Sequence, residues 1–98
     1  MNAKELRLRL EPFKMHCELA GIHIEEFFIK EVFAGSDYYV DAYIPSLTEE
    51  NYMSVYKRVC DILWHTTNED TRGFLFNFWV THEPNAEQKC FLEKNKKN

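Results

Sequence analysis

The sequence predicts an α+β fold, a two-layer α/β sandwich in which two helices cover one face of a three-stranded antiparallel sheet. Three observations favour this architecture. The aromatic run Gly73–Val80 alternates like a buried strand, the segment Tyr38–Ile44 alternates in the same way, and an apolar stripe recurs at helical spacing from Tyr52 to Trp64. The predicted order is α-β-β-α-β, followed by a short C-terminal tail.

The first predicted helix runs from about Ala3 to Ala20. Asn2 is a favourable N-cap, with Glu5 at the third helical position. Apolar residues then recur on one helical face, at Leu6, Leu10, Phe13 and Cys17. Pro12 removes a backbone hydrogen bond, so we expect the helix to bend or restart there. Gly21 is expected as the C-cap, because glycine adopts the left-handed conformation without a steric penalty.

Two strands joined by a turn at Ala34–Asp37 are predicted next. In the first, Ile22–Phe33, the pattern places Phe28 on the same face as Ile22, and it places Phe27, Ile29 and Phe33 on the opposite face. The second strand is Tyr38–Ile44. The predicted core consists of Tyr38, Val40, Ala42 and Ile44 together with Phe74, Phe76, Phe78 and Val80.

The remaining elements are a helix, a loop, a strand and a tail. Ser46 or Thr48 is expected to cap the second helix, and His65–Arg72 is expected to be a polar loop. The Gly73–Val80 strand is predicted to be central and to lie beside the first strand after a right-handed crossover, which makes all neighbours antiparallel. Residues 1–84 form the predicted domain, and residues 85–98 the tail, with one helical turn around Ala86, Cys90 and Phe91.

The composition is that of one globular domain. Of the 98 residues, 45% are hydrophobic, which suits a single core and argues against disorder. No run approaches the ~20 apolar residues that cross a bilayer, and the first residues contain no signal-peptide core. We therefore expect a cytoplasmic protein without membrane contact, whose three cysteines are reduced thiols.

No pattern of catalytic or metal-binding residues stands out. The four histidines and three cysteines lack the spacings of metal-binding motifs, so we predict neither a metal site nor a cofactor. The three glycines lie at turns and caps, which excludes a glycine-rich phosphate loop. A β-bulge explains the adjacent acids Glu25 and Glu26 better than acid–base chemistry does. We therefore predict a protein that is not an enzyme.

The sheet face turned away from both helices is the candidate functional site. Its predicted residues are Tyr39, Asp41, Tyr43, Leu75, Asn77 and Trp79, beside Phe27, Ile29 and Phe33, with Glu25, Glu31 and Asp37 at the margin. Exposed patches rich in tyrosine and tryptophan are typical of interaction sites. Alternatively, the tail covers this face through Phe91 and Leu92, or a second copy covers it in a homodimer.

The distribution of charge favours a protein partner. The net charge is −4, and residues 21–50 contain seven acidic residues and, as their only lysine or arginine, Lys30. Such a segment repels phosphate backbones and attracts basic protein surfaces. We therefore predict a small acidic protein-binding module of the inhibitor, immunity-protein or antitoxin type, which docks on a basic protein through its aromatic sheet face.

RNA binding is the second hypothesis, because aromatic residues at alternate strand positions can stack on bases. The order α-β-β-α-β resembles that of KH-type folds and of ribosome-binding factors, a topological analogy that implies an RNA partner. The chain departs from it, since no G-x-x-G loop joins two helices and acids lie where phosphates would approach. The basic residues available for phosphates are Arg7, Arg9, Lys14, Lys57, Arg58, Arg72 and the tail lysines.

Overall fold

The computed structural model describes residues 2–33 and 37–96, without the side chains of Phe33, Phe76, Asn95 and Lys96. The α+β class is confirmed, with a three-stranded sheet that is mixed rather than antiparallel. The elements of the described chain are α1 (Ala3–Arg9), α2 (Glu11–Leu19), β1 (Glu26–Phe33), β2 (Asp37–Tyr43), α3 (Tyr52–Thr66), α4 (Glu69–Gly73), β3 (Leu75–Thr81) and α5 (Ala86–Lys96).

The first predicted helix is present as two helices, α1 and α2, which meet at Leu10. The Asn2 side chain accepts a hydrogen bond from the Glu5 backbone N–H at 2.8 Å, as the cap prediction requires. Pro12 lies in the first turn of α2, where a missing N–H is tolerated. Gly21 follows α2 with a φ of +82°, which confirms the predicted left-handed position after the helix.

The strand order is β1-β2-β3, with β2 in the centre. β1 pairs with β2 in antiparallel orientation and places Phe28 opposite Asp41, whereas β3 pairs with β2 in parallel and places Trp79 opposite Asp41. The predicted pairing of the third strand with the first is therefore wrong. After β2 the chain passes through α3 and α4 and returns to the end of the sheet at which β2 starts. β3 therefore runs parallel to β2 and pairs with the edge of β2 that β1 leaves free.

The aromatic strand β3 is an edge strand, not the predicted centre, and side chains cap its outer edge. The Tyr52 and Tyr56 hydroxyls of α3 donate to the backbone carbonyls of Val80 and Phe78, at 3.2 and 3.4 Å. At the opposite edge of the sheet, Arg7 donates to the Phe27 carbonyl at 2.9 Å. These contacts satisfy edge groups that would otherwise pair with another chain.

The core lies between the inner face of the sheet and helices α1, α2 and α3. Phe13 of α2 spans this layer, because its ring contacts Phe27 of β1 and Phe78 of β3, with centroids 5.9 and 5.5 Å away. The predicted core residues of β2 are confirmed as buried. The fully or almost fully buried apolar residues include Leu6, Leu10, Phe13, Cys17, Ile24, Phe27, Tyr38, Val40, Ala42, Ile44, Val59, Leu63 and Val80.

Several element boundaries differ from the predictions. β1 begins at Glu26 rather than Ile22, because residues 22–25 are irregular. The turn predicted at Ala34–Asp37 lies outside the described residues, except for Asp37. The predicted polar loop contains the end of α3 and the short helix α4, whose Asn68 cap accepts from the Thr71 N–H at 2.8 Å.

The two remaining helices also start or extend differently from the prediction. α3 begins after Asn51 rather than at Ser46 or Thr48. Thr48 and Asn51 instead form a reciprocal turn, in which each side-chain oxygen accepts the other residue's backbone N–H, at 3.1 and 2.7 Å. In the tail, α5 is 11 residues long rather than one turn.

Candidate functional site

The outer face of the sheet, opposite the core, combines aromatic and polar side chains from all three strands. The strand register places Tyr39 beside Lys30 and Asn77, and Asp41 between Phe28 and Trp79. Side chains of alternate residues share a face. The outer face therefore includes Glu26, Phe28, Lys30, Tyr39, Asp41, Tyr43, Asn77, Trp79 and Thr81.

The half of the outer face nearest β3 is open to solvent. The Trp79 side chain is 52% exposed, and Tyr39 on the neighbouring strand is 38% exposed. Asn77 lies opposite Tyr39, two residues before Trp79 on β3, and is half-buried. This open half is an aromatic surface on regular strands, so the positions of its side chains are set by the sheet.

The other half, nearest β1, is covered by α5. The Phe91 ring packs edge-on against Phe28 with 5.9 Å between centroids, and Phe28 in turn stacks on Tyr43 at 6.2 Å. The Gln88 side-chain amide donates to Asp41 Oδ2 at 2.8 Å. The alternative that the tail covers this face therefore holds for the β1 half of the face and not for Trp79.

Asp41 is the central ionisable group of the outer face. Burial raises the pKa of its carboxyl above the usual value, and the hydrogen bond from Gln88 opposes this by lowering the pKa. The second carboxylate oxygen, Oδ1, is buried and accepts no hydrogen bond from the described part of the chain. A buried acceptor without a donor is unfavourable, so the carboxylate is only partly satisfied in the free protein.

We expect the stability of the protein to fall as pH rises through the raised pKa of Asp41, and an Asp41→Asn variant to lack this loss. The folded state favours the protonated carboxyl of Asp41 over the ionised one. The stability that this preference contributes is therefore fully present below the pKa that Asp41 has in the unfolded chain, and it is lost at higher pH. The effect stays within about 1 kcal/mol, because the half-buried carboxyl remains partly solvated. Urea unfolding of both proteins from pH 3 to pH 7 measures it. A stability difference that does not change with pH would contradict the prediction.

Three residues predicted on the outer face lie on the inner face instead. Phe27 is buried in the core, and Ile29 and Leu75 pack against it. The pairing of β2 with β3 shifts by one residue between Tyr38 and Tyr39, which turns Leu75 inward while Asn77 and Trp79 remain outward. Phe33, the fourth aromatic or aliphatic residue predicted beside them, has a side chain outside the described part of the structure.

The predicted acidic margin is only partly assembled. Glu31 is opposite Tyr38, whose side chain is in the core, so Glu31 belongs to the helix side of the sheet. Glu25 precedes β1 and contacts His23 at 2.8 Å. Asp37 begins β2 in the same alternation as Tyr39 and Asp41. Of the predicted acids, Asp37 and Asp41 therefore share the outer face.

Phe28 and Gln88 were missed from the sequence as contributors to the outer face, whereas Phe91 was named there in the alternative that the tail covers this face. Phe28 faces outward because β1 starts later than predicted, which reverses its alternation relative to Ile22 and Ile24. Gln88 and Phe91 reach the face from α5. Phe91 carried a usable signal as an aromatic residue in a polar tail, whereas nothing in the sequence distinguishes Gln88.

Other side chains that could take part in catalysis or binding lie apart from this face. Burial, reinforced by the charge of Glu18, raises the pKa of the Cys17 thiol to about 12, so this cysteine is protonated and unreactive at neutral pH. A groove of about 500 Å³ between α2 and α3 is lined by His16, Asp61 and His65, among others.

In the described part of the chain, no cluster of three or more histidine, cysteine, aspartate or glutamate side chains is arranged to hold a metal ion. None of the described helices has both the length and the apolar character needed to cross a bilayer.

Comparisons with known proteins leave the geometry of this face as the basis for a functional argument. No protein-family model matches the chain, and no curated protein or solved structure matches it either. The exposed aromatic half of the outer face, centred on Trp79 and bordered by the partly satisfied Asp41, is the strongest candidate site in the described residues.

Proposed function

We propose that this protein is a small acidic protein-binding module, of the inhibitor, immunity-protein or antitoxin type, that docks on a basic surface of a partner protein. The observation that carries the proposal is the exposure of Trp79, at 52%, on the outer face of the edge strand β3. Tryptophan and tyrosine that become buried on binding supply most of the affinity of many protein interfaces. The open half of the outer face provides both.

The charge of the chain supports a basic partner. The protein has a net charge of −4, and Asp41 places a carboxylate beside Trp79 in the register. Long-range attraction between an acidic protein and a basic one speeds their encounter, while the aromatic contacts determine how long the complex lasts. Lys30 is the one basic residue of the outer face as the structure describes it, and it lies on the β1 side.

RNA binding, the alternative, is less favoured because the arginines are engaged within the protein. Arg7 pairs with Glu26, and Arg9 lies 3.6 Å from Glu5. Arg58 donates to a backbone carbonyl of the Ala20 residue, and Arg72 to the backbone of Trp64 and Thr67. Affinity for a polyanion comes mainly from basic side chains free to contact phosphates.

We expect Trp79→Ala to weaken binding to the partner at least about tenfold, as loss of a central interface aromatic does. Trp64→Ala is the matched control, since Trp64 is also exposed, at 64%, but lies on α3 and stacks on Arg72. The immobilised wild-type protein and both variants are used to capture proteins from the native host. A basic protein that is lost with Trp79→Ala and kept with Trp64→Ala supports the proposal.

Three other outcomes would count against it. Capture of the same proteins by all three baits would remove the outer face from the interaction, and capture of the chain itself would indicate a homodimer. Retention of the pure protein on heparin at low salt, abolished by added salt, would favour nucleic acid. We expect the protein to flow through heparin.

A further inference from the structure

The hydrogen bond between Gln88 and Asp41 joins a neutral amide donor to a carboxylate. This carboxylate could also accept hydrogen bonds from a positively charged donor. Gln88 Nε2 donates to Oδ2 at 2.8 Å, while Oδ1 is buried and accepts nothing from the described residues. An arginine donor would bring a full positive charge and a second, parallel hydrogen bond to the carboxylate, neither of which a neutral amide supplies. A cation that reached both oxygens would therefore satisfy Asp41 better than Gln88 does.

The surroundings of Asp41 favour a planar cation. Trp79 and Phe28 are its neighbours on the two flanking strands, so an aromatic ring lies on each side of the carboxylate in the sheet register. A guanidinium group donates two parallel hydrogen bonds to a carboxylate and also stacks on aromatic faces. A lysine ammonium group lacks the planar fork, and an anion would be repelled by Asp41.

We infer that Asp41 receives an arginine side chain of the basic partner, and that Gln88 of α5 occupies the place of that arginine in the free protein. The inference rests on the proposed function and specifies the chemistry of the partner. When the partner binds, its arginine replaces Gln88 as the hydrogen-bond donor to Asp41. This replacement breaks the hydrogen bond between Gln88 of α5 and Asp41 of β2. The partner gains access to Phe28 and Tyr43 when α5 moves aside.

The packing of α5 against β1 leaves space for Gln88 to move away from Asp41. A cleft of about 220 Å³ lies between α5 and β1, and Phe28, Gln88 and Phe91 are among the residues that line it. Gln88 contacts both the cleft and Asp41, so a change of its side-chain conformation would connect them. Lys30 and Glu87 carry opposite charges in the same lining, so the cleft itself is close to neutral.

A double-mutant cycle tests the inference without the partner. We expect Gln88→Arg to raise the melting temperature by about 4 °C and to lower the pKa of the Asp41 carboxyl, followed by NMR titration. In the Asp41→Asn background, the same change should give no gain. Gln88→Met is the control for packing and should not lower the pKa. A Gln88→Arg variant that leaves the pKa of Asp41 unchanged would overturn the inference.

A second test presents the cation on a peptide. Acetyl-Gly-Arg-Gly-amide is titrated into the labelled wild-type protein, with the neutral citrulline peptide as the matched control. We expect the Gln88 side-chain amide signals and the backbone signals around Asp41 to shift saturably with arginine only, and not in Asp41→Asn. Equal shifts with citrulline, or no saturable shift, would contradict the inference.

The two proposals fail separately. If the arginine tests fail while Trp79→Ala still abolishes capture of a basic protein, the docking face stands and the role of Asp41 does not. If the arginine tests succeed and Trp79→Ala has no effect on capture, Asp41 binds guanidinium groups but the aromatic surface is not the interface.

Discussion

Phe13→Ala is expected to lower the free energy of unfolding by about 3–5 kcal/mol, the usual loss when a buried phenylalanine is truncated. Phe13 has no exposed surface, and its ring contacts both Phe27 and Phe78, which lie on the two outer strands of the sheet. Truncation leaves a cavity between α2 and the sheet and removes both ring contacts. Most small domains are stable by only about 5–15 kcal/mol, so a large part of the total is lost.

Thermal unfolding followed by circular dichroism measures this effect, and a fall in melting temperature of at least about 12 °C is expected. Met15→Ala is the control, because Met15 lies on the same helix but is 63% exposed, and its loss should change the stability by no more than about 0.5 kcal/mol. Phe13→Leu gives an intermediate loss if the alanine variant does not fold. Equal stability of the Phe13→Ala and Met15→Ala variants would refute the position of Phe13 in the core.

Arg7→Met should cost about 2 kcal/mol, the second largest loss we expect. The Arg7 guanidinium pairs with Glu26, donates to the Phe27 carbonyl at 2.9 Å and lies 5.9 Å from the centre of the Phe91 ring. It therefore ties α1 to the β1 edge and to α5. Hydrogen bonds that involve charged groups contribute about 1.5–3 kcal/mol, and partial exposure of Arg7 reduces this range. Methionine keeps the apolar stem in place and removes only the charged group.

Arg9→Met is the matched control on the same helix. Arg9 lies 3.6 Å from Glu5 in an exposed pair and 3.4 Å from the Thr71 hydroxyl, so its loss should cost about 0.5 kcal/mol or less. Urea unfolding of both variants gives the comparison. Hydrogen exchange should also show faster exchange in α5 for Arg7→Met only, because the ring contact with Phe91 is lost. Similar stability of the two variants would contradict the assigned role of Arg7.

Much of the candidate site could be predicted, because strand alternation depends on local backbone geometry alone. Tyr39, Asp41 and Tyr43 lie on the outer face together with Asn77 and Trp79. The errors arose where the alternation changes phase. Leu75 turned inward at the irregular pairing of β2 with β3, and a shift of one residue exchanges the two faces of a strand.

The first strand illustrates the same limit. Ile22 and Ile24 are both buried, and extending their alternation as one strand places Phe28 on the core side. The strand begins only at Glu26, so Phe27 takes the core position and Phe28 faces outward. Residues before a strand do not follow its alternation, and the adjacent acids Glu25 and Glu26, for which the sequence favours a β-bulge, lie where this strand begins.

The sequence by itself determined the helical stripes, the break near Pro12, the buried face of β2 and the outward position of Trp79, since each follows from the spacing of nearby residues. Only the tertiary structure decided that β3 lies parallel to β2 and that α5 covers half of the outer face. Which strands become neighbours depends on side chains far away in the sequence, which hydrogen-bond to the backbone carbonyls at the sheet edges. Here these side chains are Arg7 at β1 and the tyrosines of α3 at β3. The seat of α5 depends on Asp41 and Phe28, which lie far from it in the chain.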